Sequence, residues 1–176
     1  SGNDSIHVLG VFDGDITVDG GKGNDYIHSD YHIYRASLLG GADNDTIYCD
    51  YYYTGYYDTM IGGRGDDSIA ARDESYAYIV YESGDGNDDI YNYSNSSTPN
   101  VLKIATETFT STGSYSDGFF TTDSGNIYLS GKVSLDVVSV DSGLSANGQV
   151  LNVNYNYSGD LFMCAPANYV NENIVT

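Results

Sequence analysis

The stretch GGKGNDYIH at residues 20–28 decides the fold of this chain, because it recurs. Related copies occupy residues 40–48, 62–70 and 83–91, and the chain opens inside another copy. The five copies align an aspartate column and, two residues later, an isoleucine column: Asp4, Asp25, Asp45, Asp67 and Asp88, with Ile6, Ile27, Ile47, Ile69 and Ile90. A repeat of 20 to 22 residues predicts a coiled stack in which each coil buries its apolar face on the next.

Each coil also contains a second apolar segment, seven residues before its aspartate. These segments form a second column of Val18, Leu38, Met60 and Tyr81. Two short strands per coil predict an all-β, right-handed parallel β-roll. Side-chain alternation within the strands predicts that small residues lie inside the roll, at Ser29, Cys49 and Ala71 beside Val8, and that larger polar rings lie outside, at His7, His28, Tyr48 and Tyr91.

The repeats stop near residue 92, and this divides the chain. Residues 93–100 have the composition of a linker or turn. Beyond them, short apolar stretches alternate with polar turns, as at residues 149–157. We therefore expect the roll over residues 1–92, followed by an all-β C-terminal cap, or a metal-free continuation of the solenoid, over residues 101–176.

The charge of the chain selects its partners. Six basic and 25 acidic residues among 176 give a formal charge of −19, which disfavours nucleic acid and anionic membrane surfaces and favours cations. No apolar stretch approaches the roughly 20 residues of a membrane span. The HExxH and GxSxG signatures of metalloproteases and lipases are also absent from the sequence. We therefore expect a protein that is not an enzyme, and the start inside a repeat suggests that the natural chain begins earlier.

The repeated stretch resembles the nonapeptide G-G-x-G-x-D-x-U-x of the repeats-in-toxin (RTX, haemolysin-type) calcium-binding repeats. The resemblance covers residues 1 to about 92. It implies calcium bound by main-chain carbonyls and aspartates, the hard oxygen ligands that suit Ca²⁺. It also implies passage through a type I secretion channel and folding outside the cell, where calcium is abundant.

In that family, one coil supplies the carbonyls of signature positions two and four, the next coil supplies those of positions one and three, and both supply their aspartates. Transferred to this chain, the pattern implies about three or four calcium ions along one edge of the roll. The implied ligand sets are Gly2 and Asp4 with Gly20, Lys22 and Asp25; Gly21, Gly23 and Asp25 with Gly40, Ala42 and Asp45; Gly41, Asp43 and Asp45 with Gly62, Arg64 and Asp67; and Gly63, Gly65 and Asp67 with Ser83, Asp85 and Asp88. The chain departs from the pattern at three positions: Asp43 and Ser83 replace glycine, and Asp66 replaces asparagine.

A tyrosine-rich loop is the most unusual feature of the other edge. It contains Tyr51, Tyr52, Tyr53, Tyr56 and Tyr57. Tyrosine offers a large, rigid contact area with a polar tip, so the loop is a candidate site for a partner, a sugar or another copy of the protein. Alternatively, these rings pack on their own coil and on neighbouring loops.

Histidine and cysteine offer weaker signals. We interpret His7, His28 and His32 as exposed strand and loop residues rather than as a transition-metal site, because they lack partners at ligand spacing. Cys49 falls at an inward position and is expected to be a buried thiol, with a disulfide to Cys164 as the alternative.

These patterns favour a secreted, calcium-stabilised structural or adhesive module of a larger extracellular or bacterial cell-surface protein. One alternative is a calcium-dependent subunit that assembles into a filament or surface layer, since the ends of a solenoid are open. Another is the accessory repeat domain of a secreted hydrolase.

Overall fold

The computed structural model describes residues 1–9, 14–29, 35–50, 57–72, 76–82, 84–92, 100–105, 109–114, 117–122, 125–130, 134–139, 149–155 and 161–164. Every regular element in these residues is a β-strand. The strands are β1 Ser5–Val8, β2 Ile16–Lys22, β3 Tyr26–Ser29, β4 Ala36–Ala42, β5 Thr46–Asp50, β6 Tyr57–Arg64, β7 Ser68–Arg72, β8 Tyr76–Glu82, β9 Asp88–Asn92, β10 Asn100–Ala105, β11 Phe109–Ser114, β12 Asp117–Thr122, β13 Asn126–Ser130, β14 Ser134–Ser139, β15 Gln149–Tyr155 and β16 Leu161–Cys164.

The strands form two eight-stranded sheets. One has the order β1-β3-β5-β7-β9-β13-β12-β11, and the other β16-β15-β14-β10-β8-β6-β4-β2. From β1 to β9, successive strands alternate between the sheets, and each pairs in parallel with the equivalent strand of the next coil. The chain is therefore a parallel β-roll, as the repeat predicts.

The core lies between the two sheets and follows the two predicted columns. The isoleucines pair in register from coil to coil, and Ile27, Ile47, Ile69 and Ile90 are buried, facing Leu38 and Met60 of the other sheet. Burying one such side chain stabilises the fold by roughly 1.5–3 kcal/mol. The inward positions of Ser29, Cys49 and Ala71 are confirmed, since none of the three is exposed.

The second apolar column differs from the prediction in its last member. Met60 pairs with Ile79, so Ile79 and not Tyr81 continues the column. Tyr81 lies one residue beyond the Ile61–Val80 pair, where the preceding coil has Gly62. Counting back seven residues from Asp88 was wrong here because this coil has two extra residues between its second column and its aspartate.

The strands of the second sheet continue into the signature. β2, β4 and β6 each include the first three signature positions, and Gly21, Gly41 and Gly63 pair in register. These three glycines have φ angles of 97, 116 and 96°, which residues with a side chain rarely adopt. A methyl group on Gly41 would also overlap the carbonyl oxygen of Gly21. The second glycine of each pair is thus required for the coils to stack.

Both sheets continue beyond the last repeat. β10 pairs in parallel with β8, and β13 pairs in parallel with β9. β14 also pairs in parallel with β10. The remaining pairings are antiparallel: β11, β12 and β13 form one meander, and β14, β15 and β16 form another. The described part of residues 101–176 is all-β, as expected. The division at residues 93–100 stays a prediction.

Candidate metal centre

The aspartate column ties each coil to the one before it. The backbone N–H of each aspartate donates to Oδ1 of the next aspartate in the column. The distances are 2.7 Å for Asp4 to Asp25, for Asp25 to Asp45 and for Asp45 to Asp67, and 3.0 Å for Asp67 to Asp88. One carboxylate oxygen per coil is therefore fixed by the neighbouring backbone.

In three of the four accepting aspartates, the other carboxylate oxygen has no hydrogen-bond partner. Oδ2 of Asp25, Asp45 and Asp67 is buried and unpartnered, in residues that are only 2–3% exposed. A buried carboxylate oxygen without a donor or a cation is destabilising.

Burial also changes the acidity of the column. Removal from water raises the pKa of Asp45 to about 6, of Asp67 to about 7 and of Asp88 to about 8. The backbone hydrogen bond to each carboxylate opposes this rise, and neighbouring carboxylates add to it. Without a cation, the fold therefore favours the protonated form of these groups.

The first signature glycine leaves space beside each unpartnered oxygen. A methyl group on Gly40 would lie 2.5 Å from both Asp45 Oδ2 and the carbonyl oxygen of Gly62. In the preceding coil, a methyl group on Gly20 would overlap Asp25 Oδ2 and lie 2.7 Å from the carbonyl oxygen of Gly40. An unpartnered carboxylate oxygen and the first-position carbonyl of the next coil thus face the same glycine.

Third-position carbonyls, which were also predicted as ligands, are engaged in backbone hydrogen bonds. Those of Lys22, Ala42 and Asp85 accept N–H groups of the preceding coil, from Gly2 at 2.7 Å, Gly23 at 3.1 Å and Gly65 at 2.7 Å. A carbonyl has two lone pairs, so this bond leaves one acceptor position on each oxygen.

Fourth-position residues stack closely. Gly23, Gly65 and Gly86 have φ angles of 110, 143 and 103°, and a methyl group on any of them would crowd a carbonyl group of the preceding coil. Asp43 adopts a φ of 78° at the same position, which is strained for a residue with a side chain. Its Oδ2 accepts the N–H of Gly23 at 3.1 Å.

The two ends of the predicted column differ from its middle. Gly2 and Asp4 are exposed in the first coil. In the last repeat, Ser83 lies outside the described residues, and Asp85 is buried with Oδ2 accepting the N–H of Glu82 at 2.5 Å. Burial raises the pKa of Asp85 to about 6, and this hydrogen bond opposes the rise.

A second ladder, which the sequence analysis missed, runs beside the aspartate column. At the fifth signature position, each side-chain Oδ1 accepts the backbone N–H of the following coil. The bonds are Asn24 to Asn3 at 2.9 Å, Asn44 to Asn24 at 3.1 Å, Asp66 to Asn44 at 3.1 Å and Asn87 to Asp66 at 2.9 Å. This ladder, here called the asparagine ladder, points in the opposite direction to the aspartate column. The asparagine that precedes four of the five column aspartates was the available signal.

A separate buried carboxylate lies on the opposite edge. Asp58 is 1% exposed; its Oδ1 accepts the N–H of Ala36 at 2.7 Å, and its Oδ2 accepts the Cys49 thiol at 3.6 Å. Burial raises the pKa of Asp58 to about 6 and raises that of Cys49 well above its usual value. Cys49 is a buried free thiol, as expected, so the alternative disulfide to Cys164 is not formed.

The outer face of the first sheet carries histidine and tyrosine in contact. The ring centres of His28 lie 5.0 Å from Tyr48 and 5.5 Å from His7, and His28 Nε2 lies 3.7 Å from Asp50 Oδ2. His32 and four loop tyrosines, Tyr51, Tyr52, Tyr53 and Tyr56, lie outside the described residues, whereas Tyr57 begins β6. The proposed role of the tyrosine-rich loop stays a prediction.

The donor set decides which metals fit the signature edge. Over the described parts of the chain, no three side chains of His, Cys, Asp or Glu come together in a way that could hold an ion. A metal at this edge would therefore need main-chain carbonyls as well as the aspartate column. Such all-oxygen sites suit Ca²⁺ and suit Zn²⁺ or copper poorly.

Comparisons with known proteins add no relative. No family model matches the chain, and neither a curated protein nor a solved structure is significantly similar to it. Within the described residues, no helix is long and apolar enough to cross a membrane.

Proposed function

We propose that this protein is a secreted, calcium-stabilised structural or adhesive β-roll module of RTX type, part of a larger extracellular or cell-surface protein. The observation that carries the proposal is the unpartnered, buried carboxylate oxygen that recurs in three successive coils, at Asp25, Asp45 and Asp67. One unpartnered buried carboxylate oxygen would be an isolated feature, but its recurrence in three successive coils supports a repeated site.

The chain offers oxygen ligands where the charge is uncompensated. Asp25 and Asp45, with the carbonyls of Gly40 and Gly62 that face the same glycine cradles, would hold ions between coils, and Asp67 and Asp88 would extend the row. Calcium would supply the positive charge that these buried carboxylates lack. The raised pKa values of Asp45, Asp67 and Asp88 support this assignment, because the fold without a cation penalises the ionised form.

The same charges link calcium to folding. A formal charge of −19 opposes compaction of the metal-free chain. Ligands that bind only the folded state stabilise it by RT ln(1 + [L]/Kd), and extracellular calcium modules bind at roughly 10⁻⁴–10⁻³ M. A chain with this linkage would fold outside the cell and stay unfolded in the low calcium of the cytoplasm.

A calcium titration tests the proposal. The dialysed protein should gain β-sheet circular dichroism and melting temperature as calcium is added, and should lose both in excess EGTA. Magnesium is the matched control, because its smaller ion demands near-ideal octahedral geometry and should stabilise less. A spectrum and melting temperature that are the same in EGTA and in calcium would contradict the proposal.

A further inference from the structure

The coil after the last repeat preserves part of the signature without its aspartate. Ile127 pairs in register with Asp88. Asn126 therefore aligns with Asn87 at signature position five, and Gly125 aligns with Gly86 at position four. Asn126 Nδ2 donates to Asn87 Oδ1 at 2.8 Å, a side-chain bond between the same signature positions that the asparagine ladder joins. A methyl group on Gly125 would overlap the Gly86 carbonyl, as at the fourth position of earlier coils. Residues 125–127 are thus a sixth, degenerate signature.

Ile127 fills the place of the aspartate with an apolar side chain. It is fully buried and belongs to the hydrophobic core. In each earlier coil, Oδ1 of the next aspartate accepts the backbone N–H of its predecessor, and in Asp25, Asp45 and Asp67 the second oxygen has no partner. An isoleucine side chain has neither oxygen, so the aspartate column ends at Asp88.

Tyr81 brings a neutral hydroxyl group to the same interface. Its ring is buried, and its hydroxyl donates to the carbonyl oxygen of Gly86 at 2.6 Å. The hydroxyl would lie 2.7 Å from a methyl group on Gly125. Two hydrogen bonds join Thr122 and Gly125. The Thr122 N–H donates to the Gly125 carbonyl at 2.8 Å, and the Gly125 N–H donates to Thr122 Oγ1 at 3.1 Å. These bonds hold Gly125 against the Tyr81 hydroxyl.

We infer that Tyr81 and Ile127 end the row of calcium sites. Between the fifth and sixth coils, these two side chains form a metal-free interface, here called the joint, where a cation site would otherwise lie. The joint is also a latent calcium site, which a single carboxylate would complete. The expected number of bound ions rests on the proposed calcium binding, whereas the metal-free interface of Tyr81 and Ile127 does not. Replacing Ile127 with aspartate would place a carboxylate in register with Asp88, two residues after Gly125, the glycine that lies against the Gly86 carbonyl and the Tyr81 hydroxyl. The variant would then bind one more calcium ion than the natural chain.

Equilibrium dialysis with calcium, on the full chain, counts the ions bound. Ile127→Asp is expected to bind one ion more than the parent. Ile127→Asn is the control, because asparagine has the shape of aspartate without its charge, and it is expected to bind the same number of ions as the parent. A folded Ile127→Asp protein that binds no additional ion would overturn the latent site. If the parent binds no calcium at all, the proposed function fails, and the metal-free joint is judged by the next experiment.

Tyr81→Phe tests the joint without adding a charge. It removes only the hydroxyl, which donates to the Gly86 carbonyl and accepts the Thr122 hydroxyl at 3.4 Å. The melting temperature should therefore fall by the same amount in calcium and in EGTA. Asp67→Asn is the contrast, because its effect should depend on calcium. A loss for Tyr81→Phe that appears only in calcium would overturn the inference, since the hydroxyl would then act through a bound ion. This result also decides the matter if Ile127→Asp does not fold.

Discussion

Replacing Asp45 with asparagine should stabilise the protein in EGTA and destabilise it in calcium. Asp45 is the central member of the aspartate column and serves both adjoining interfaces. Asparagine keeps the Oδ1 that accepts the Asp25 N–H, and it puts an amide nitrogen in place of the unpartnered Oδ2. That nitrogen would face the same glycine as the Gly62 carbonyl, a ready acceptor. The variant therefore removes a buried charge and preserves the hydrogen bond between coils.

The magnitude follows from the shifted acidity and from mass action. Burial raises the pKa of Asp45 from 3.8 to about 6, which corresponds to at most about 3 kcal/mol of destabilisation when the group is ionised. Without calcium, Asp45→Asn should recover up to that amount, or roughly 6–12 °C in melting temperature for a chain of this size. With calcium at a hundredfold excess over Kd, each lost site costs about 2.7 kcal/mol. Loss of two sites would outweigh the gain.

Thermal melts in calcium and in EGTA, each at pH above 7, measure the effect. Asp19→Asn is the matched control, because Asp19 is exposed on β2 and the substitution removes the same charge. The control should change stability little in either medium. If Asp45→Asn destabilised the protein equally in both media, the carboxylate would have only a structural role and the reasoning would be refuted.

Four further predictions use the same measurements. Burial raises the pKa of three column aspartates from 3.8 to about 6, 7 and 8, so the metal-free fold binds more protons than the unfolded chain. The stability of the metal-free protein should therefore be greatest below about pH 4 and fall as the pH rises to about 8. A melting temperature that rises over that range would contradict this prediction. Asp66→Asn should gain about 0.5–1 kcal/mol by urea unfolding, because an amide can also donate within the asparagine ladder, and a loss would show that the carboxylate has a role of its own. Asp43→Gly should relieve about 1 kcal/mol of backbone strain at its φ of 78°, less the exposed hydrogen bond from Gly23, and a clear destabilisation would mean that this bond outweighs the strain. Asp58→Ala should cost about 1–3 kcal/mol equally with and without calcium, because the Ala36 N–H loses its acceptor, and a loss confined to calcium would contradict a purely structural role.

The repeat predicted most of the fold because the side chains that define it are also the ones that pack. An isoleucine two residues after each aspartate can stay in register only if the coils stack, and Ile27, Ile47 and Ile69 do. The position of the buried carboxylates followed from the same alignment. The cost of their burial did not, because it depends on where Oδ2 points.

Features outside strict repetition escaped the sequence analysis. The last coil has two extra residues between the second apolar column and Asp88, so Ile79 and not Tyr81 lies in that column. Counting a fixed seven residues back from the aspartate cannot detect such an insertion. The sixth signature was hidden because Ile127 replaces the aspartate by which copies were recognised. The asparagine ladder was visible as a pattern, but its hydrogen bonds depend on the spacing between coils.

The two oppositely directed ladders have a mechanical consequence. Each coil gives a backbone N–H to the next through the aspartate column and receives one through the asparagine ladder, so it cannot separate from its neighbour without breaking both bonds. Since the bonds join only adjacent coils, tension applied to the chain ends should peel off one coil at a time. A released coil of about 21 residues extends by roughly 70 Å, compared with about 4.8 Å along the folded stack. Under load, the roll would act as a series of uniform extensible units.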